Sequence, residues 1–285
     1  FGDFPMAGYG NKDMSTYKFP AGVILNKDLS KVHDVDLEGL KTVEEHVNNS
    51  WYDYTGDPNA GKQPWSGETK INYTGPKPPY EFLDVENKYS FIKTPRWKGE
   101  AMEVGPLARM LVGYALGRED FKEVVDSALT KLDVPAEALF STLGRTAARG
   151  LESQLVAQWN LEFYDKLIEN IKGGDERMAN MEKWDVSTWP AEAKGVGRVE
   201  APRGGLSHWI VIKDGKTENY QQIVPSTWNA SPRDPKGQRS PYESTLINTP
   251  VADPELPLEI IRTIHSFDPC IACAVHLYDE KGDII

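Results

Sequence analysis

A mainly α fold, a bundle around one long helix with small antiparallel β elements and extensive ordered loops, is what three features of this 285-residue sequence predict. Apolar residues recur at three and four spacing across 105–175, Gly and Pro punctuate most of the remainder, and one Asp-Gly pair divides two short apolar runs. At 39% hydrophobic, the chain can bury a sizeable core, and 1–285 reads as a single domain.

Residues 1–90 are irregular, with Gly, Pro, Asn and Tyr recurring as in WYDYTGDPNAGKQPW. Their Tyr, Trp and Phe content suits ordered loops and short strands packed on a larger body better than a solvated tail. From Gly105-Pro106 the pattern turns helical: LARMLVGYAL, a polar break, then FKEVVDSALTKL predict two helices. Pro135 opens the longest periodic stretch, with Leu139, Leu143, Ala147, Leu151, Leu155, Trp159, Phe163 and Leu167 at every fourth position until Gly173-Gly174. At ~1.5 Å per residue this single helix would be on the order of 50 Å long, the spine of a bundle over 105–175. Gly144 and Gly150 either weaken it or permit close packing. A linker containing Trp and Pro follows, then LSHWIVIK and ENYQQIV flank Asp214-Gly215 as a hairpin. A further loop runs from Pro225 to about Pro250. LPLEIIRTIHSF is then a short helix that delivers the chain to Asp268-Pro269-Cys270.

The charge balance, 32 Lys plus Arg against 43 Asp plus Glu for a formal net charge of -11, argues against nucleic acid as a partner. No apolar run approaches the ~18 residues of a membrane span and no signal peptide opens the chain, so any membrane association is indirect. The first residues, Phe1-Gly2-Asp3, lack a methionine, and an upstream segment is expected. The two cysteines, Cys270 and Cys273, are three apart, with His276 three further on. Two thiolates within reach of one ion favour metal binding. A self-contained zinc site lacks a second cysteine pair, and a thioredoxin-like pair would open a helix rather than follow one. Burial of both as small hydrophobes is the remaining reading.

SFDPCIACAVH resembles the C-terminal signature of nickel-iron hydrogenase large subunits, D-P-C-x-x-C-x-x-H. VEAPRGGLSHW at 199–209 and YQQIVPSTWNASPRD at 220–234 are similar to loops around the metals in that family, and TPRWKGEAMEVGPLAR and STLGRTAARGLE also look like family sequence. The resemblance implies the C-terminal portion of such a subunit, with metal-site loops over 199–276. It implies that Cys270 is a terminal nickel ligand and Cys273 one bridging to an iron that carries cyanide and carbon monoxide. Soft thiolates suit both metals. By the same resemblance, Arg203 overhangs the open metal face, Asp268 holds that arginine with Pro202 beside it, and Val224, Pro225 and Ser226 receive the cyanides. His276 and the main-chain carbonyl of Gln222 match magnesium ligands. The implied activity is heterolytic splitting of dihydrogen, with electrons passed to iron–sulfur clusters in a partner small subunit. This chain has too few cysteines to carry those clusters.

The sequence departs from the family in two places. The other cysteine pair, in R-x-C-G-x-C-x-x-x-H, is absent from these 285 residues, so either the large subunit is divided between two chains or this is a fragment of a longer one, and the N-terminal part that carries the pair is an expected partner. LYDEKGDII at 277–285 follows His276, where a maturation endoprotease cuts most relatives, which makes it a candidate cleavable tail. The closest resemblance is to the membrane-associated uptake group, which implies a periplasmic heterodimer attached to the membrane through partner subunits. A dihydrogen sensor or apo-precursor of the same lineage, and more distantly a thiol redox protein, are the competing readings.

Overall fold

The computed structural model describes residues 17–36, 41–66, 69–77, 84, 86–179, 181–182 and 184–270, together with the backbone of 2–3. Cys273, His276 and the 277–285 tail lie outside the described residues.

Short strands come first. β1 (Gly2–Asp3) pairs with β2 (Gly22–Val23), β3 (Val43–His46) with β6 (Thr94–Trp97), and β4 (Tyr52–Asp53) with β5 (Lys70–Ile71), all antiparallel. Three helices follow: α1 (Pro106–Ala115), α2 (Glu119–Leu132) and α3 (Thr142–Lys172). Pro at the first turn of α1 has no N–H to leave unanswered, and Pro106 through Gly113 are all buried. Gly113 lets α2 approach, because any Cβ there would sit 2.3 Å from the Phe121 ring. Phe19, Phe121 and Trp159 meet edge-on or tilted at centroid separations of 5.0–6.2 Å and, with Leu107, Leu111 and Leu155, form the first core.

The helix expected from Pro135 is interrupted. A 3-10 turn, Ala136–Leu139, precedes α3, which starts afresh where the Ser141 hydroxyl accepts the Gly144 N–H at 3.0 Å. A four-residue repeat also drifts ~40° per step around a helix of ~3.6 residues per turn. Leu155 and Trp159 therefore face the core, while Leu143, Leu161, Phe163 and Leu167 are exposed. The part of α3 that packs as a spine in the first core runs from Ala148 to Trp159.

The expected linker holds a strand. β7 (Glu192–Ala201) pairs over its whole length with β8 (Gly204–Lys213), which pairs with β9 (Lys216–Ile223). Two glycines and scattered charges hide β7 from an apolar pattern. The β8–β9 turn carries Asp214 and Gly215, both left-handed at φ 49 and 71, the geometry of a tight hairpin. Trp97, Trp209 and Trp228 build the second core with Val43, Met102 and Ile223. Three short helices close the described chain: α4 (Pro225–Asn229), α5 (Pro241–Leu246) and α6 (Leu258–His265).

The β7–β8 tip is seated on the start of α1. Gly204, at φ 132, brings its backbone so close that a Cβ would lie 2.6 Å from the Gly105 nitrogen. Gly204→Ala would combine left-handed strain with a clash against backbone that cannot swing away. It should lower stability by about 2–4 kcal/mol, read as a fall in the urea midpoint.

Glu45, on β3, is buried with Lys93 Nζ at 3.7 Å and the Gln221 amide donating at 3.3 Å. Burial outweighs both partners and pushes its carboxyl up to about 7. The unfolded chain ionises Glu45 near its ordinary value of 4.5, so the folded state holds the extra proton between 4.5 and 7. Stability from this group is thus full below 4.5 and lost as pH rises toward 7. Burial also lowers Lys93, whose cost disappears only at alkaline pH. Moving from pH 4.5 to 7.5 should favour Glu45→Gln over the parent by about 1–3 kcal/mol in paired urea titrations.

Candidate functional site

Three segments distant in sequence converge on Cys270: the β7–β8 tip, the start of α4 and the end of α6. Buried Arg109 of α1 clamps the tip. Its Nη1 donates to Glu200 Oε2 at 2.9 Å and to the Ala201 carbonyl at 2.8 Å, and its Nη2 donates to the Pro202 carbonyl at 2.9 Å. The same guanidinium grips Glu152 of α3 through Nε and Nη2 at 2.7 and 2.6 Å. A planar, always-charged fork can serve both carboxylates and both carbonyls at once, which lysine could not. Pro202 is itself exposed, and its carbonyl is what fixes the tip.

Arg203, the next residue, turns toward the end of α6. Its Nε donates to the Asp268 main-chain carbonyl at 2.7 Å and lies 3.3 Å from Oδ2, with Nη2 3.4 Å from Oδ1. Asp268 reaches this position in a left-handed conformation, φ 54, with its N–H on the His265 carbonyl at 2.9 Å. Asp tolerates that region better than most residues, and the reversal turns the chain from the helix axis toward Cys270.

α4 begins at Val224, its N-cap, with Pro225 in the first turn. Ser226 is buried, and its hydroxyl accepts the Cys270 N–H at 3.1 Å, tying the cysteine backbone to this loop. The loop is anchored in turn by Asn229, whose side chain accepts from Val104 N–H at 3.0 Å and donates to Val104 C=O at 2.9 Å. Arg96 fastens the following turn through Asp234 Oδ2 and the Gln238 carbonyl, each at 2.8 Å. Val104 and Gly105 are therefore the shared base under both the hairpin tip and α4.

From below, Arg145 stacks 3.9 Å from the Phe267 ring centroid and Arg149 donates to the Ser266 carbonyl at 3.0 Å. Phe267 also packs on Tyr242, a buried phenol held above its ordinary range first by burial and then by nearby Cys270 and Asp268. Cys270 itself is exposed. Gln222 sits on β9 opposite His208, its carbonyl accepting the Gln221 amide at 3.5 Å.

Of the residues singled out by sequence, Arg203, Asp268, Ser226 and Cys270 are brought into one constellation, with Pro202, Val224 and Pro225 shaping its loops. Arg109, Asn229 and Tyr242 were missed. Arg109 and Asn229 do lie inside segments that look like family sequence, but their partners are 43 to 125 residues away, so spacing carries no signal for them.

Among the described residues no cluster of three His, Cys, Asp or Glu side chains could hold a metal, and no helix is long and apolar enough to cross a membrane. The donor chemistry fits one part of a larger centre: an exposed thiol two residues after the carboxylate that holds Arg203, with a second thiol three residues on.

Comparison with known proteins agrees. The nickel-dependent hydrogenase family matches residues 1–276. The uptake hydrogenase large subunit of Bradyrhizobium diazoefficiens is 52% identical over 99% of this chain and 48% of its own length. That of Rhodobacter capsulatus is 52% identical over 92% and 45%, and the hydrogenase-1 large chain of Escherichia coli 45% over 99% and 48%. In shape, the chain is similar to the [NiFeSe]-hydrogenase of Desulfomicrobium baculatum, with a TM-score of 0.65 and 32% identity over 97% of this chain and 51% of that one. It spans about half the length of the curated relatives it matches. With a family match that runs from residue 1 to residue 276 and relatives about half identical along nearly the whole chain, the chain belongs to the nickel-dependent hydrogenase family.

Proposed function

We propose that this chain supplies one half of the active centre of a dihydrogen-oxidising enzyme, the C-terminal portion of its large subunit. The observation that carries this reading is the Arg203–Asp268 pair poised beside exposed Cys270. Cys270 and Cys273 would hold a nickel–iron centre together with the two cysteines of the missing portion. When bound, that centre supplies the metals at which dihydrogen is split. Asp268 takes Nε and Nη2 of Arg203 and so sets the plane of the guanidinium, which leaves Nη1 for the open side. A fixed positive charge there favours developing negative charge and a proton's departure without reorganising. The Ser226 hydroxyl accepts the Cys270 N–H, which fixes its loop, and that hydroxyl would be a donor to anionic cyanide ligands. Gln222 through its carbonyl and His276 through its imidazole are the residues that would hold magnesium.

Two partners follow. The upstream portion of the large subunit supplies the remaining thiolates, and a small subunit supplies the iron–sulfur clusters. The outer half of α3 supports a larger assembly, since Leu161, Tyr164, Leu167 and Ile171 form an exposed stripe away from its core face. A helix apolar on both sides belongs in a larger body. The small subunit would provide export to the periplasm and membrane attachment, and an endoprotease would remove residues after His276. Coexpression with both partners should yield dihydrogen-dependent reduction of benzyl viologen and a chain whose mass ends at His276. Assembly with the metals in place but no dye reduction would favour a dihydrogen sensor.

A further inference from the structure

A cavity of about 730 Å³ lies at the start of α3, lined by Arg145 but not by any of Arg203, Ser226, Asp268 or Cys270. Its walls carry three cations, Lys27, Arg145 and Arg239, against one carboxylate, Glu103, in a chain whose net charge is -11. Arg145 is nine-tenths buried. Its Nε and Nη2 grip Glu103 at 2.7 and 2.8 Å and Nη2 reaches Thr245 Oγ1 at 3.3 Å, but Nη1 is buried without a hydrogen-bond partner among the described residues. An unanswered charged donor at that depth is costly unless something answers it. The N-terminus of the 31-residue α3 opens on the same cavity through Ser141 and Thr142, and the Ser141 hydroxyl is already committed to the Gly144 N–H. The first-turn amides and the helix dipole thus add to the positive field.

We propose that this cavity binds an oxyanion, a carboxylate or a tetrahedral anion, with Arg145 at its floor and Lys27 and Arg239 at its rim. Lys27 is held near the mouth with its ammonium 5.7 Å from the Phe140 ring centroid. Because Arg145 also stacks on Phe267, next to Asp268, the anion anchors the segment that leads to Cys270. It comes either from solution or from an acidic side chain of the absent portion of the large subunit. The second source rests on the function proposed above, whereas the first does not.

The test is sulfate binding to the full 285-residue chain, followed by calorimetry and by melting temperature, with sodium chloride at matched ionic strength as control. Saturable binding with a dissociation constant on the order of millimolar is expected. The double variant Lys27→Gln/Arg239→Gln, altered only at exposed positions, should weaken it ~10-fold or more. Sulfate that stabilises no better than chloride, or binds the double variant equally well, overturns the site. Repeating the titration on the assembled large subunit separates the sources: loss of sulfate binding there identifies a side-chain carboxylate, and retention identifies a free anion.

Discussion

Replacing Arg109 by methionine is expected to cost the chain about 3–5 kcal/mol of stability, the penalty for leaving buried charge uncompensated. The Glu200 carboxylate is fully buried and that of Glu152 mostly so, and both are bound by this guanidinium, as are the Ala201 and Pro202 carbonyls. Methionine fills the volume but answers none of them. The urea midpoint should fall accordingly, and the β7–β8 tip should become susceptible to proteolysis near Arg203. A loss under about 1 kcal/mol would mean that the carboxylates find other partners and that Arg109 is not the clamp.

Arg203→Lys should do the reverse, sparing stability and removing the proposed function. The Arg203–Asp268 pair is 39% and 45% exposed, so its contribution to folding is at most about 1 kcal/mol. Lysine keeps the charge but cannot reach both the Asp268 carbonyl and its carboxylate while presenting a third donor. In the assembled enzyme, dihydrogen-dependent dye reduction should drop on the order of 100-fold with metal content unchanged. Full activity in the lysine variant would reduce Arg203 to a structural tie.

How much of this was legible beforehand depended on whether local pattern or distant packing decides a feature. α1, α2 and the Asp214-Gly215 hairpin follow from periodicity and turn chemistry within a dozen residues, and all three are present. The start of α3 did not follow, because Ser141 caps a new helix inside a run whose four-residue repeat suggested continuity. β7 was invisible because it has almost no apolar pattern of its own and is specified by pairing with β8. The constellation around Cys270 was legible only through resemblance. By spacing alone, Arg203 is a surface cation and Ser226 a turn residue, and nothing local predicts that they meet Asp268 and Cys270, 65 and 44 residues later. The left-handed turn at Asp268 and the pair of hydrogen bonds between Asn229 and Val104 make that meeting possible, and both are products of the folded chain.

On the proposed function, this chain carries half of a metal centre that is completed by another polypeptide segment. Nickel per chain, measured by elemental analysis, tests it most directly, with the infrared bands of cyanide and carbon monoxide read on the same samples. The isolated 285-residue chain should retain essentially no nickel and show no such bands. Assembly with the missing portion of the large subunit and the small subunit should bring one nickel per complex, and the bands with it. Stoichiometric nickel held by the isolated chain would contradict the account.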